Sequence, residues 1–262
     1  MAESTAQVAA DWIWEAWERG EVIDDLPPHL KPQSRDEGYA IQACLARPPS
    51  DVVAGWKIAA TSAAGQSHIG VDGPLAGRIF ENRVVQPGAT LPIKDNRMRV
   101  CEPEFAFRLG ADVAPREQPY TVDEVMARVS DLHLAFELPD SRFKEFAEVG
   151  GPTLIADNAC ARDLVVGPAV ETDWRALDLS THAITGHVAG RIEREGNGAN
   201  VLGDPRVALT WLVNELSTLG EALQSGQFVT TGTTMVPMEI VEGDDVMADF
   251  GVLGQIQVFV GV

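Results

Sequence analysis

The stretch Arg99 to Gly110, RVCEPEFAFRLG, constrains the fold more than any other. Read with period two, Cys101, Pro103, Phe105, Phe107 and Leu109 fall on one face, and Glu102, Glu104, Ala106 and Arg108 on the other. That alternation predicts a half-buried strand. On such a strand the two glutamates point the same way, roughly 6–7 Å apart at ~3.3 Å per residue. Like charges this close repel unless something positive sits between them. A hard divalent cation with oxygen ligands is one such partner. A solvated outer face on an edge strand accounts for the same pattern, so both readings stand at this point. Leu132 to Pro139 repeats the alternation, with Leu132, Leu134, Phe136 and Leu138 on one face and His133, Ala135 and Glu137 on the other. If the two strands lie together, Glu102, Glu104 and Glu137 converge.

Composition narrows the partners. A chain of 262 residues, 45% apolar and 23% charged, is long enough for a sizeable core and is expected to form a single domain over 1–262. The net charge of −19 argues against nucleic acid or an anionic membrane as partner. It leaves room for an anionic small substrate, because a bound cation and a few Lys or Arg reverse the field locally. Cys44, Cys101 and Cys160 show neither a disulfide framework nor metal spacing, and Cys101 falls on the apolar strand face, where it is expected to pack. The start, MAEST, lacks the basic and apolar segments of a secretory leader. No apolar run reaches membrane-spanning length, and a cytoplasmic protein is expected.

In chain order, Ser4 to about Val22 is predicted as a helix, opening on a capping-box-like STAQ and carrying three tryptophans expected to pack. Ser34-Arg-Asp-Glu37 caps a second helix running through Leu45 and ending before Pro48-Pro49. From Val52 the texture changes to short strands and Gly/Pro turns, including GVDGP at 70–74. Thr121-Val-Asp-Glu124 caps a short helix. Residues 142–150 read as a short helix or a loop, 163–166 and 181–191 as strands, and the polar 193–200 as a hairpin tip. Asp204-Pro205 is an N-cap followed by proline at the first helical position, and strands follow at 228, 245–250 and 255–260. The expected fold class is α+β, with a helical part over about 1–50 packed on a mixed, mainly antiparallel β-body over 51–262.

The pieces GYAIQ (38–42), GWKI (55–58) with Thr61-Ser62, GVD (70–72), EPEFA (102–106), Glu137 with Ser141-Arg142, ADNA (156–159), LGDP (202–205), Trp211-Leu212, LGE (219–221) and ADFG (248–251) with Leu253-Gly254 occur in an order that resembles the 2-keto-4-pentenoate hydratase family. That family includes 4-oxalocrotonate decarboxylases and lies within the fumarylacetoacetate hydrolase-like superfamily, whose β-roll the body is then expected to adopt. The resemblance covers nearly the whole chain. It implies Mg²⁺ or Mn²⁺ held by Glu102, Glu104 and Glu137, a small 2-oxo or 2-hydroxy-dienoic acid as substrate, and a homo-oligomer. It implies hydration of a 2-hydroxy-2,4-dienoate to a 4-hydroxy-2-oxo acid, as in aromatic-compound catabolism. The alternatives are decarboxylation of a 2-oxo-3-enedioate and a catalytically silent partner subunit.

By the same resemblance Lys57 is the catalytic residue and, with Asn158, binds substrate. A lysine beside a metal in a desolvated pocket can have its pKa lowered and take part in proton transfer; without the resemblance, Lys57 reads as a surface lysine beside a strand. Two positions depart from the family pattern: Cys160 stands where it has serine, and Leu75 where it has an acidic residue. The second departure leads to the expectation that Arg78 meets another carboxylate on a dicarboxylate substrate; a solvated turn arginine is the other reading. Among the histidines only His133 shares a face with a predicted ligand, which makes it a candidate outer partner of the metal site.

Overall fold

In the computed structural model, residues 4–45 and 52–261 are described. Helix α1 (Thr5–Arg19) opens where the Ser4 hydroxyl accepts the Gln7 N–H at 3.2 Å. It stops short of the expected Val22 because Gly20 turns left-handed, at φ 63°, and closes the last carbonyls. Its apolar stripe, Ala9, Ala10, Ile13 and Ala16, is buried. Helix α2 (Arg35–Ala43) is capped by Ser34, and the Gln42 amide donates to Ala76 O (2.8 Å) and Ile155 O (3.0 Å). The helix ends at Ala43, short of the expected Leu45; Pro48 itself lies outside the described residues.

The body begins with β1 (Val53–Ala59), α3 (Ala63–His68), β2 (Leu75–Phe80), β3 (Val84–Val85), β4 (Thr90–Pro92) and β5 (Val100–Leu109). Then come α4 (Val122–Met126), β6 (Val129–Leu138), α5 (Gly151–Ala156), β7 (Asp163–Ala169), β8 (Ala183–Val188) and β9 (Ile192–Asn197). The chain closes with α6 (Pro205–Thr218), β10 (Phe228–Thr233), β11 (Met238–Glu239), β12 (Asp245–Asp249) and β13 (Gln255–Gly261). One sheet runs β2-β1-β10-β5-β6-β7-β3, with β11 also paired to β5; the other runs β4-β13-β12-β8-β9. Pairing is parallel for β1/β10, β3/β7 and β4/β13 and antiparallel elsewhere, so the architecture is the expected α+β with mixed, mainly antiparallel sheets. Phe105 of the first sheet meets Phe250, beside the second, edge-on at 5.3 Å. Among the described residues, no helix is long and apolar enough to cross a membrane.

Two expectations are corrected here, one is narrowed to its loop alternative, and one short helix is new. β5 is not half-buried: it lies inside its sheet between β10 and β6, and residues 103–107 are buried on both faces, which removes the solvated-edge reading. The polar 193–200 is not a hairpin tip. The turn is at 189–191, with Gly190 at φ 72°, and β9 returns as the outer strand of its sheet. An edge strand with one face in water can be polar and needs no apolar alternation. Residues 142–150 form successive turns, with Arg142 and Phe143 fully buried. The unforeseen α3 is one short segment without apolar periodicity, begun by a Ser62 cap on the Gly65 N–H.

Candidate active site

The register of β5 and β6 builds the carboxylate cluster. Glu102 pairs directly opposite Glu137, and Glu104 opposite Ala135. Period two then puts all three glutamates on one face of adjacent strands. One oxygen from each lies within 4.8 Å of those from the other two. Glu104 and Glu137 are fully buried and Glu102 is half-buried on a cavity wall. Glu104 Oε2 accepts the Gly232 N–H at 2.9 Å, whereas its Oε1 and Glu137 Oε2 lack partners. Such orphaned buried oxygens are costly. A hard divalent cation takes this kind of all-oxygen, carboxylate-rich donor set, so the residues fit one.

Lys57 arrives from β1, separated from β6 by β10 and β5. Its Nζ nevertheless stands 3.0 Å from Glu137 Oε1, an ion pair outside hydrogen-bond alignment, and donates to Ala159 O at 3.1 Å. Side chains rise roughly perpendicular to a sheet, so contact across two intervening strands requires the sheet to curl around the cluster. The surface-lysine reading is thereby corrected: Lys57 is buried.

Charge and burial oppose each other here. Desolvation alone would lower the Lys57 pKa, but Glu137, Glu102 and Glu104 outweigh it and raise it above the ordinary lysine value. These carboxylates favour the ammonium form of the lysine; the lowering expected above concerns a lysine beside a bound metal ion. Burial, then the Glu137 charge, lifts Glu102 from 4.5 to about 8, against the pull of Lys57. Burial also raises Glu104 and Glu137.

A strained turn positions the lysine's second partner. Asn158, Ala159 and Cys160 all have positive φ, at 58°, 50° and 61°, a conformation that costs non-glycine residues of order 1–2 kcal/mol each. Side chains on both flanks hold it. Asp157 accepts Trp17 Nε1–H (3.0 Å), the Ser141 hydroxyl (2.5 Å) and Arg142 N–H (3.3 Å). Burial raises the Asp157 pKa to about 7, against the lowering by Ser141 and Trp17. Asn158 accepts the Arg78 N–H (2.7 Å) and donates to Arg78 O (2.8 Å). The turn so fixed aims Ala159 O at Lys57. Residue reasoning missed this function of Asp157 and Trp17; the only local signal is the turn-prone Asp-Asn pair.

The same contacts take two expected substrate ligands away from the site. The Asn158 amide is spent at both ends on the backbone of β2. Arg78 pairs through both terminal nitrogens with Glu221 and stacks on Trp56 with its Cζ 4.4 Å from the ring centroid. On β2 and β1, Arg78 pairs opposite Trp56 and Gly77 opposite Lys57, so Arg78 lies on the opposite sheet face from the lysine. His133 is not part of the cluster either: its Nδ1 bonds Gly167 O at 2.8 Å and its ring meets Phe228 edge-on at 5.2 Å.

Lys57 and Glu102 open onto a cavity of about 570 Å³. Leu75, Leu154 and Met235 line it, as do Cys160 and the polar Thr61, Asn200 and Thr233. Gly232, whose N–H holds Glu104, has φ 104°, and a Cβ there would stand 2.1 Å from Thr61 Oγ1. Gly232→Ala is therefore expected to destabilise the fold by about 1–3 kcal/mol, as overpacking does. A thermal melt checks this; an unchanged midpoint would show that Thr61 yields freely.

No protein-family model matches the chain. The chain is 30% identical over 249 residues to the 2-keto-4-pentenoate hydratase of Paraburkholderia xenovorans, covering 94% of this chain and 91% of that protein. It is 26% identical over 237 residues to the 2-hydroxyhexa-2,4-dienoate hydratase of Comamonas testosteroni, with 88% of each covered. The fold superposes on 4-oxalocrotonate decarboxylase from Pseudomonas putida G7, complexed with magnesium and adipate, with TM-score 0.89 at 22% identity over 99% of this chain and 98% of that one. Fumarylpyruvate hydrolase from Pseudomonas aeruginosa, complexed with Mn²⁺ and pyruvate, matches with TM-score 0.61 at 18% identity over 82% and 98%. Near-complete coverage on both sides at this identity places the chain in the 2-keto-4-pentenoate hydratase family.

Proposed function

We propose that the protein is a divalent-metal-dependent hydro-lyase that adds water to a 2-hydroxy-2,4-dienoate, giving a 4-hydroxy-2-oxo acid. The observation that carries this reading is the triplet of carboxylates, two of them fully buried and with unpartnered oxygens, set beside one buried lysine at the wall of a cavity. Glu102, Glu104 and Glu137 would hold Mg²⁺ or Mn²⁺, which when bound supplies Lewis-acid charge for an anionic oxo-acid substrate.

The protein's own groups account for the proton. Lys57 has three N–H donors; Ala159 O takes one and Glu137 stands beside another. Donor capacity remains toward the cavity that Lys57 lines. Lys57 can give a proton to the terminal carbon of the dienoate as the 2-hydroxyl becomes a ketone, and the proton that leaves the hydroxyl restores the ammonium. Water then adds across the remaining double bond, its oxygen to the carbon next to the terminal one and its proton to the carbon beside the ketone. The buried apolar wall around Leu75 and Leu154 keeps bulk water from the reacting chain. Decarboxylation of an enedioate calls for a seat for a second carboxylate, and Arg78, expected to provide it, faces Glu221 instead. Loss of dienoate absorbance on adding enzyme with Mg²⁺ or Mn²⁺ tests the reading. Loss accompanied by CO₂ would favour the decarboxylase, and no loss with either ion would sink both.

Acidity adds a further expectation. A carboxyl whose pKa is higher folded than unfolded binds its proton more tightly when folded, so its contribution to stability falls as pH rises between the two values. For Glu102 that window runs from 4.5 to about 8. The metal-free protein should lose stability across it. Mg²⁺ affinity should climb over the same interval, because binding displaces the proton. Thermal melts with and without Mg²⁺ at about pH 6 and about pH 8 check both signs; a stabilisation by Mg²⁺ that is equal at the two values would contradict the assignment.

A further inference from the structure

The cavity exceeds what the simplest dienoate needs. A five-carbon hydroxydienoate has about eight non-hydrogen atoms; even at the ~30 Å³ of a liquid water for each, it fills under about 240 Å³. The cavity offers about 570 Å³, leaving more than half free. Its wall is also divided in character. Lys57 and Glu102 supply the charge, while Met98, Phe146 and Val236 form apolar wall. Val236 is 68% exposed, Met98 and Phe146 are half-buried, and Leu75 and Leu154 are fully buried, which places the first three toward the opening. Phe146 is braced edge-on by His68 at 5.9 Å. No arginine is among the described residues lining the cavity, and Lys57 is already paired with Glu137. A second carboxylate at the far end of a substrate would meet thioether, phenyl and isopropyl groups; the exposed polar lining there is His68 and Asn200, and the Asn200 amide already donates to Thr234 O at 2.7 Å.

We propose, on the reading of this protein as a dienoate hydratase, that its substrate is a monocarboxylate bearing an apolar alkyl or aryl substituent at the distal end of the diene, seated against Met98, Phe146 and Val236. This replaces the dicarboxylate expected from Arg78.

Binding and turnover separate the two readings. Titration calorimetry of saturated straight-chain 2-oxo acids of increasing length, with Mg²⁺ present, reads the wall without any reaction. Affinity should rise about two- to fourfold per methylene, the upper figure being the equivalent of ~0.8 kcal/mol per buried CH₂, and Val236→Asp should flatten that rise. Among dienoates, kcat/KM should be greatest with a butyl or phenyl substituent, smaller with none, and smallest with a terminal carboxylate. A length dependence in binding without turnover of any dienoate would support the apolar seat and sink the hydratase reading. Turnover of the unsubstituted dienoate with binding that is flat in chain length would overturn the seat, as would a length dependence that Val236→Asp leaves intact.

Discussion

Lys57→Met is expected to lower turnover by about 10²–10⁴-fold, the range a positioned acid or base contributes, while metal binding survives. Methionine keeps the length and apolar stem of lysine but neither its charge nor its donors. The buried carboxylates then face no ammonium, so a cation should bind at least as well as in wild type. Breaking one side of a buried pair typically costs about 3–5 kcal/mol; the metal-free variant should therefore melt below wild type, with Mg²⁺ restoring much of the difference. Single-turnover dienoate assays and Mn²⁺ titration read the two effects separately. Near-normal turnover would reduce Lys57 to a structural counter-ion, and loss of metal binding would show that the lysine supports the carboxylate geometry itself.

Glu104→Gln should have the larger effect on the metal. The carboxylate is fully buried, with Oε2 fixed by Gly232 N–H and Oε1 without a partner. Glutamine keeps an oxygen for Gly232 but replaces the other oxygen by a donor and removes one negative charge. Affinity for Mg²⁺ or Mn²⁺ should fall more than about 100-fold, beyond the ~10–100-fold usual for losing an outer partner of a ligand. Since burial pushes this carboxyl well above its ordinary pKa, the metal-free variant gives up a group that is costly to ionise and should be at least as stable as wild type. Manganese titration followed by electron paramagnetic resonance, alongside thermal melts, decides this. An unaltered titration would remove Glu104 from the site.

What the sequence determined by itself is what short-range periodicity and local hydrogen bonding determine. Ser4, Ser34, Thr121 and Asp204 cap helices as read, because a cap is settled within three residues of itself. The alternation around Glu102, Glu104 and Glu137 assigned them to one face of two strands, since side-chain direction in a strand has period two. Only the tertiary structure decided which strands adjoin and how far the sheet curls. That brought Glu137 opposite Glu102 and carried Lys57 over two strands to reach it. The same long-range pairing overruled the residue reading elsewhere. Arg78 has the charge to bind a carboxylate, but Glu221, 143 residues away in sequence, claims it first. Asn158 has the right polar ends, and the backbone of β2 uses both. A strand pattern records which side a residue faces; which partner it meets there is set by strand order and register, which are properties of the whole chain.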